Sequence, residues 1–205
     1  MNLDDWHFVY VAVCLVLVFS ACVPVVLALI PRSGEPFFAL AVLGEEGMAD
    51  HYYPGDDPNI EVGDEINWTL YLYNHMGEVE YVAVRLKLLN STMSAPDSIS
   101  CSPSPAPVIY EARRVMLDNE TWFYPISWSI GDVGLEGDFT VVEQLSVNDR
   151  DIETDVAARD GFNFRIVLEL WIYSDSLNDF QFGWSYDHDM GCAWNQLWFN
   201  ATLPG

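Results

Sequence analysis

Two hydrophobic periods divide this chain. Residues 8–30 read FVYVAVCLVLVFSACVPVVLALI, an apolar run without one charged side chain. At about 1.5 Å per residue, a helix of that length crosses the roughly 30 Å hydrocarbon core of a bilayer. Beyond Pro31 the period falls to two. Ile66, Trp68, Leu70 and Leu72 alternate with Asn67, Thr69 and Tyr71, and Val82, Val84, Leu86 and Leu88 with Tyr81, Ala83, Arg85 and Lys87. Trp122, Tyr124, Ile126, Trp128 and Ile130 form a third series, and Phe162 to Ile172 a fourth. Alternation of this kind predicts half-buried antiparallel strands. Further strands are expected at 37–43, 108–117, 139–147, 180–184 and 194–203.

Turn-forming stretches separate these segments: YPGDDP at 53–58, NHMG at 74–77 and DVGLEG at 132–137. Seven to nine short strands with such breaks predict an all-β, immunoglobulin-like antiparallel β-sandwich. The expected organisation is a short tail at 1–7, a transmembrane helix at 8–30, a linker at 31–36 and the sandwich at 37–205. The Ser/Pro-rich segment 91–107 reads as a long loop, and 151–161 as a short helical series ending at Gly161.

Charge narrows the partners. Eight Lys and Arg face 31 Asp and Glu, for a net charge of -23, and Lys87 is the sole lysine. Nucleic acid and anionic lipid surfaces need cationic patches, so both are excluded as partners of the domain. An acidic, Lys-poor surface suits high salt, cation-rich surroundings or a basic partner.

Orientation rests on two opposed signals. Arg32, just after the run, favours a cytoplasmic domain by the positive-inside rule. Four N-x-S/T acceptors, at Asn67, Asn90, Asn119 and Asn200, favour an exported one. Cys14 and Cys22 lie within the apolar run, leaving Cys101 and Cys192 as the only cysteines of the domain. In an exported domain such a pair reads as a disulfide, with two free thiols the alternative. The disulfide would close a loop of roughly 90 residues and contribute about 4 kcal/mol on the chain-entropy model. Export is therefore the expected state. A cleaved signal peptide fits poorly, because the start is acidic and the run long. The stretch 19–22 loosely matches a lipoprotein processing site that would lipidate Cys22.

From Phe37 the chain runs FFALAVLGEEGMADHYYP, followed by Gly63 and then NHMGEVEYVAV at 74–84. The spacing L-G-x-x-G-x-A-x-x-Y-x-P, with the later N-H and Y-x-V, resembles an archaeal membrane-anchored family designated domain of unknown function 1616. The match covers about residues 37–90. Met76 stands where that family tends to carry an acid. The resemblance implies an archaeal envelope location and an extracytoplasmic β-rich module, and it supplies no catalytic residues.

Three constellations are candidates for chemistry. In Asp187-His188-Asp189-Met190-Gly191-Cys192, a copper or zinc site would use His188 and Cys192 with His51 or His75, provided Cys192 is not in a disulfide. Asp149, Asp151, Glu153 and Asp155, read as one loop, offer oxygens to Ca²⁺ but lack the glycine of a compact calcium loop. Tyr71, Tyr73, Tyr81 and Trp171 fall on the outward phase of their strands, as aromatic interface residues do. No nucleophile elbow, P-loop or Cys/His arrangement occurs, so an enzyme is not expected. The expected role is a single-pass structural or accessory subunit. It would be held in membrane lipid by its helix and bind other envelope or membrane subunits, or copies of itself. A pilin- or archaellin-like filament subunit and a cation- or ligand-binding module are the alternatives.

Overall fold

The computed structural model describes residues 6, 10–17, 20, 35–186 and 189–202. The chain divides into units at 1–35 and 36–205. In the first, residues 10–17 are helical and exposed. Most of the expected span at 8–30, Cys22 included, lies outside the described residues. Among the described residues no helix is long and apolar enough to cross a membrane.

In the second unit the period-two segments become strands. In chain order these are β1 (Phe37–Leu43), β2 (Asn59–Glu61), β3 (Ile66–His75), β4 (Glu80–Leu89), β5 (Tyr110–Met116), β6 (Thr121–Glu136) and β7 (Phe139–Val147). They continue with β8 (Arg150–Arg159), β9 (Phe164–Ser174), β10 (Asp179–Phe182), β11 (Trp184–Tyr186), β12 (Asp189–Gly191) and β13 (Trp194–Thr202). One sheet has the order β1-β3-β6-β7-β8. The other has the order β2-β13-β9-β4-β5, with β10 also paired to β9. β11 and β12 form a separate ribbon, and the β2–β13 pairing is parallel. The two sheets bury their inner faces in one core, which makes the unit a β-sandwich.

Aromatic rings join the sheets at the centre. Trp128 of β6 lies 5.2 Å from Trp68 of β3 and 5.1 Å from Phe199 of β13, and Phe199 stacks on Phe164 of β9 at 5.7 Å. Such pairs contribute about 0.5–1.5 kcal/mol each beyond the area they bury. Trp68 donates its indole N–H to the Tyr52 carbonyl at 2.7 Å. The indole N–H of Trp128 has no hydrogen-bond partner among the described residues.

Three expectations are corrected. Residues 151–161 are not helical: Asp151, Glu153 and Asp155 alternate along β8, the edge strand, and their period of two is that of a strand. The stretch 132–137 is not a free turn. It ends the 16-residue β6, which bends through register shifts at Ile130, Asp132 and Val133 and turns only at Gly137. A Cβ on Gly131 would meet the Gln144 side chain at 2.5 Å, so a larger residue at this bend displaces that side chain. Phe162 lies in the turn before β9 and is exposed, because Gly161 at φ +76 breaks the alternation there.

Asn74 ties two turns to one end of the sandwich. It is fully buried, and its Nδ2 donates to the carbonyls of Glu78, Met116 and Leu117 at 3.0, 3.3 and 3.1 Å. Its Oδ1 accepts from the Met76 N–H at 3.0 Å. Asn74→Ala is expected to cost about 2–4 kcal/mol, since buried carbonyls lose their donor. His75→Ala, at the rim, should stay within about 1 kcal/mol. Denaturant unfolding of the two variants checks the difference.

Candidate functional site

The outer faces of the two sheets have opposite fates. On the second sheet, alternation turns Tyr81, Arg85 and Lys87 of β4 outward beside Arg165, Val167, Glu169 and Trp171 of β9. Both phases of β9 are nevertheless buried from Phe164 to Leu170, because segment 91–107 lies across this face as a strap. The Lys87 ammonium lies 2.8 Å from the Glu169 carboxylate, and the two side chains are 3% and 0% exposed. Lys87 also donates to the Ser104 carbonyl at 2.6 Å, while the Ser104 N–H donates to Glu169 at 2.7 Å. The Trp171 indole completes the carboxylate shell at 2.9 Å. Desolvating two charges is expensive, and a pair of this kind persists where its remaining hydrogen-bond positions are filled.

Beside the strap, cations and rings form a closed layer. The Arg85 guanidinium lies 4.0 Å from the centre of the Trp171 ring, and Arg113 lies 4.8 Å from that of Phe180. Both arginines pair with Glu111 at 2.5 Å. Burial raises the Glu111 carboxyl, but the two guanidiniums outweigh it and hold the group below its usual range. Tyr81 packs on Phe180 at 5.0 Å. Arg165 donates to the Met93 carbonyl at 2.5 Å and lies over Trp198. Arg85, Lys87, Arg113 and Arg165, four of the eight cations, thus serve this one face.

The outer face of the first sheet has no such cover. Ala41, Tyr71 and Phe123 are neighbours across β1, β3 and β6, as are Ala39, Tyr73 and Thr121. Phe37 stands opposite His75. Tyr71 and Phe123 meet edge-to-face at 5.5 Å, and Phe37 lies 5.1 Å from His75. Phe123 is 60% exposed and Phe37 42%. The four candidate interface residues are therefore split: Tyr71 and Tyr73 lie half-buried on this face, Trp171 is half-buried beneath Arg85 on the other, and Tyr81 is exposed at the rim of that second face.

The acidic candidates do not converge. Asp149 lies in the turn before β8, and Asp151, Glu153 and Asp155 point outward at every second position of an edge strand. Neighbouring outward positions are about 6.6 Å apart, too far for one ion to collect all of them. Charges there protect the edge from pairing with another chain. Among the described residues no group of three or more His, Cys, Asp or Glu could hold a metal ion. His188 lies outside the described residues; His51 bonds Asp56 at 2.7 Å and His75 bonds Asn119 at 2.7 Å.

Two open grooves are lined with carboxylates. One of about 540 Å³ is lined by Asn67, Trp68, Tyr124 and Asn148 with Glu45, Glu65 and Asp149 among its walls. The other, of about 390 Å³, contains Glu78 and Glu80. Burial and the Glu78 charge push the Glu80 carboxyl up to about 7. Neither groove has His, Cys, Lys or Arg among its described lining residues.

The two domain cysteines are brought together as thiols. Cys101 is buried and Cys192 half-buried, and their sulfurs lie 3.8 and 3.9 Å from one acceptor, the Ser98 carbonyl. The sequence reading missed the ion pair, although a signal was present. Lys87 and Glu169 each interrupt an apolar strand centre, VRLKLL and IVLEL, and opposite charges in two such strands point to each other.

No family model matches the chain, and no curated protein matches it. Among solved structures it is similar to the CARDB domain of the PF1109 protein from Pyrococcus furiosus, crystallised with di-metal ions. That likeness has 8% identity and a TM-score of 0.38, over 82% of this chain and 96% of that one. It is also similar to a beta-glucosidase from Listeria innocua in complex with glucose, at 6% identity and a TM-score of 0.36. There it matches 82% of this chain and spans 16% of the enzyme. The C-terminal domain of wzt gives 4% identity and a TM-score of 0.32, over 82% and 78%. Likenesses at this level carry no argument about chemistry.

The four glycan acceptors differ in their freedom. Asn67 and Asn119 are exposed, but the Asn119 side chain accepts from the Tyr73 hydroxyl at 2.9 Å, bonds His75 at 2.7 Å and donates to Asp118 at 2.6 Å. Asn90 donates to the Ala157 carbonyl at 2.7 Å and accepts from Thr92 and Met93, and Asn200 donates to Asn59 at 2.8 Å. Glycopeptide mapping of the folded native protein should find sugar at Asn67 and none at Asn90 or Asn200. A glycan at Asn90 would contradict its structural use.

Proposed function

We propose that this chain is a membrane-anchored, extracytoplasmic structural or accessory subunit of an archaeal envelope assembly. A transmembrane helix over 8–30 holds it in lipid, and an immunoglobulin-like sandwich forms its ectodomain. It contacts another envelope protein through the outer face of β1, β3 and β6. The observation that carries the reading is the aromatic cluster of Phe37, Tyr71, Tyr73 and Phe123, with Phe37 and Phe123 exposed, set against a second sheet whose central strand β9 the chain covers itself. Large rings left in water are unusual on a free surface and serve as anchors in interfaces. The apolar run, the four acceptors and the resemblance at 37–90 support the location. The net charge of -23 favours a neutral or basic partner surface over an acidic one.

The test is capture of the full chain from native membranes in mild detergent, beside a Tyr71→Ser/Phe123→Ser variant. The wild type should bring down a stoichiometric companion, and the variant should lose it about tenfold or more while melting within a few degrees of the wild type. A wild type that migrates alone contradicts the reading. A companion that the variant retains would contradict the assignment of this face.

A further inference from the structure

The strap over the second sheet carries Cys101, whose thiol shares an acceptor with that of Cys192, and the pair has a lever on the buried ion pair. Asp97 and Ser102 exchange backbone hydrogen bonds at 2.9 and 3.1 Å, closing a tight loop with Cys101 near its tip at φ +46. Across from it, Cys192 enters β13 two residues before Trp194. Trp194 donates its indole N–H to the Ser98 hydroxyl at 2.9 Å and stands directly opposite Glu169 in the β13–β9 register. Strap, thiol pair and Glu169 are thus parts of one packed patch. Only Ser104, three residues beyond Cys101, separates the strap from the Lys87 ammonium, its hydrogen-bond donor at 2.6 Å.

We propose that Cys101 and Cys192 form a redox latch: as a disulfide they pin the strap to the start of β13 and keep Lys87 closed to solvent, and as thiols they let the strap lift. The oxidant is a disulfide compound or a disulfide-bearing protein. One cysteine thiolate attacks that disulfide, forming a mixed disulfide and expelling a thiolate. The second cysteine then attacks the protein sulfur, forms the Cys101–Cys192 bond and releases the second thiol. Two protein thiols are oxidised, one disulfide is reduced to two thiols, and the two protons pass to the leaving thiolates. Burial, the hydrogen-bonded Cys101 thiol and the Asp97 charge push Cys192 up to about 12, which disfavours its thiolate at neutral pH.

Lys87 provides the readout, because it is the chain's one lysine and the N-terminal amine serves as internal reference. Full-length protein in mild detergent is treated with oxidised or reduced glutathione and then acylated with an amine-reactive ester, and peptides are mapped by mass spectrometry. Oxidation should produce a linked Cys101–Cys192 peptide, lighter by two hydrogens, and should slow Lys87 acylation about tenfold or more relative to the reduced chain. Cys192→Ser should acylate at the reduced rate under both conditions. The wild-type comparison stands by itself if that variant fails to fold. The proposal is overturned if both cysteines stay alkylatable under conditions that oxidise the denatured chain, or if the disulfide forms and Lys87 reacts at an unchanged rate.

Discussion

The Lys87–Glu169 ion pair is the constraint on which the asymmetry of this sandwich depends. A charged pair of this kind adds little stability against an apolar alternative of equal volume, yet losing one partner leaves a buried charge and is costly. What the pair supplies is position. Its unfilled hydrogen bonds fit the backbone N–H and C=O of Ser104, so a Ser/Pro-rich segment with almost no secondary structure of its own acquires one place on the sheet. With the strap fixed there, β9 is buried on both faces, and the cation–aromatic layer of Arg85, Trp171, Arg113 and Phe180 extends the cover.

The other outer face shows what a sheet looks like without that cover. Tyr71 and Phe123 meet edge-to-face and Phe37 and Tyr73 meet at a tilt, and Phe37 and Phe123 are exposed to solvent. The far edge of the same sheet is β8, with outward Asp151, Glu153 and Asp155, so addition of another strand there meets repelling charge. Exposed apolar side chains also occur elsewhere, among them Val115, Leu135 and Phe139, but Phe37 and Phe123 differ in lying beside the half-buried rings of Tyr73 and Tyr71.

Much of the sandwich was legible as period two. The expected strands at 37–43 and 139–147 coincide with β1 and β7, and the alternations from Ile66 and Val82 with β3 and β4. The acids of β8 misled because carboxylates are read as loop formers, although their spacing was that of a strand. The residues behind the family resemblance have local structural uses. A Cβ on Gly44 would strike the Asp50 and His51 carbonyls, Gly47 has φ +74, Tyr52 receives the Trp68 indole, and Asn74 pins two turns. Outward aromatics were legible as a class, but their division between two faces was not, because alternation gives the phase within a strand and not the sheet to which the strand belongs. The strap was illegible for a related reason: its position is decided by two charges 82 residues apart in the chain.

The most direct measurement of this asymmetry is hydroxyl-radical footprinting of the protein in its native membranes and again after purification in mild detergent. The account predicts that Tyr71 and Phe123 are protected in the membranes and become several-fold more reactive once companions are removed, while Trp171 under Arg85 reacts slowly in both. Equal reactivity of Tyr71 and Phe123 in both preparations would contradict a covered first-sheet face, and with it the role in an assembly.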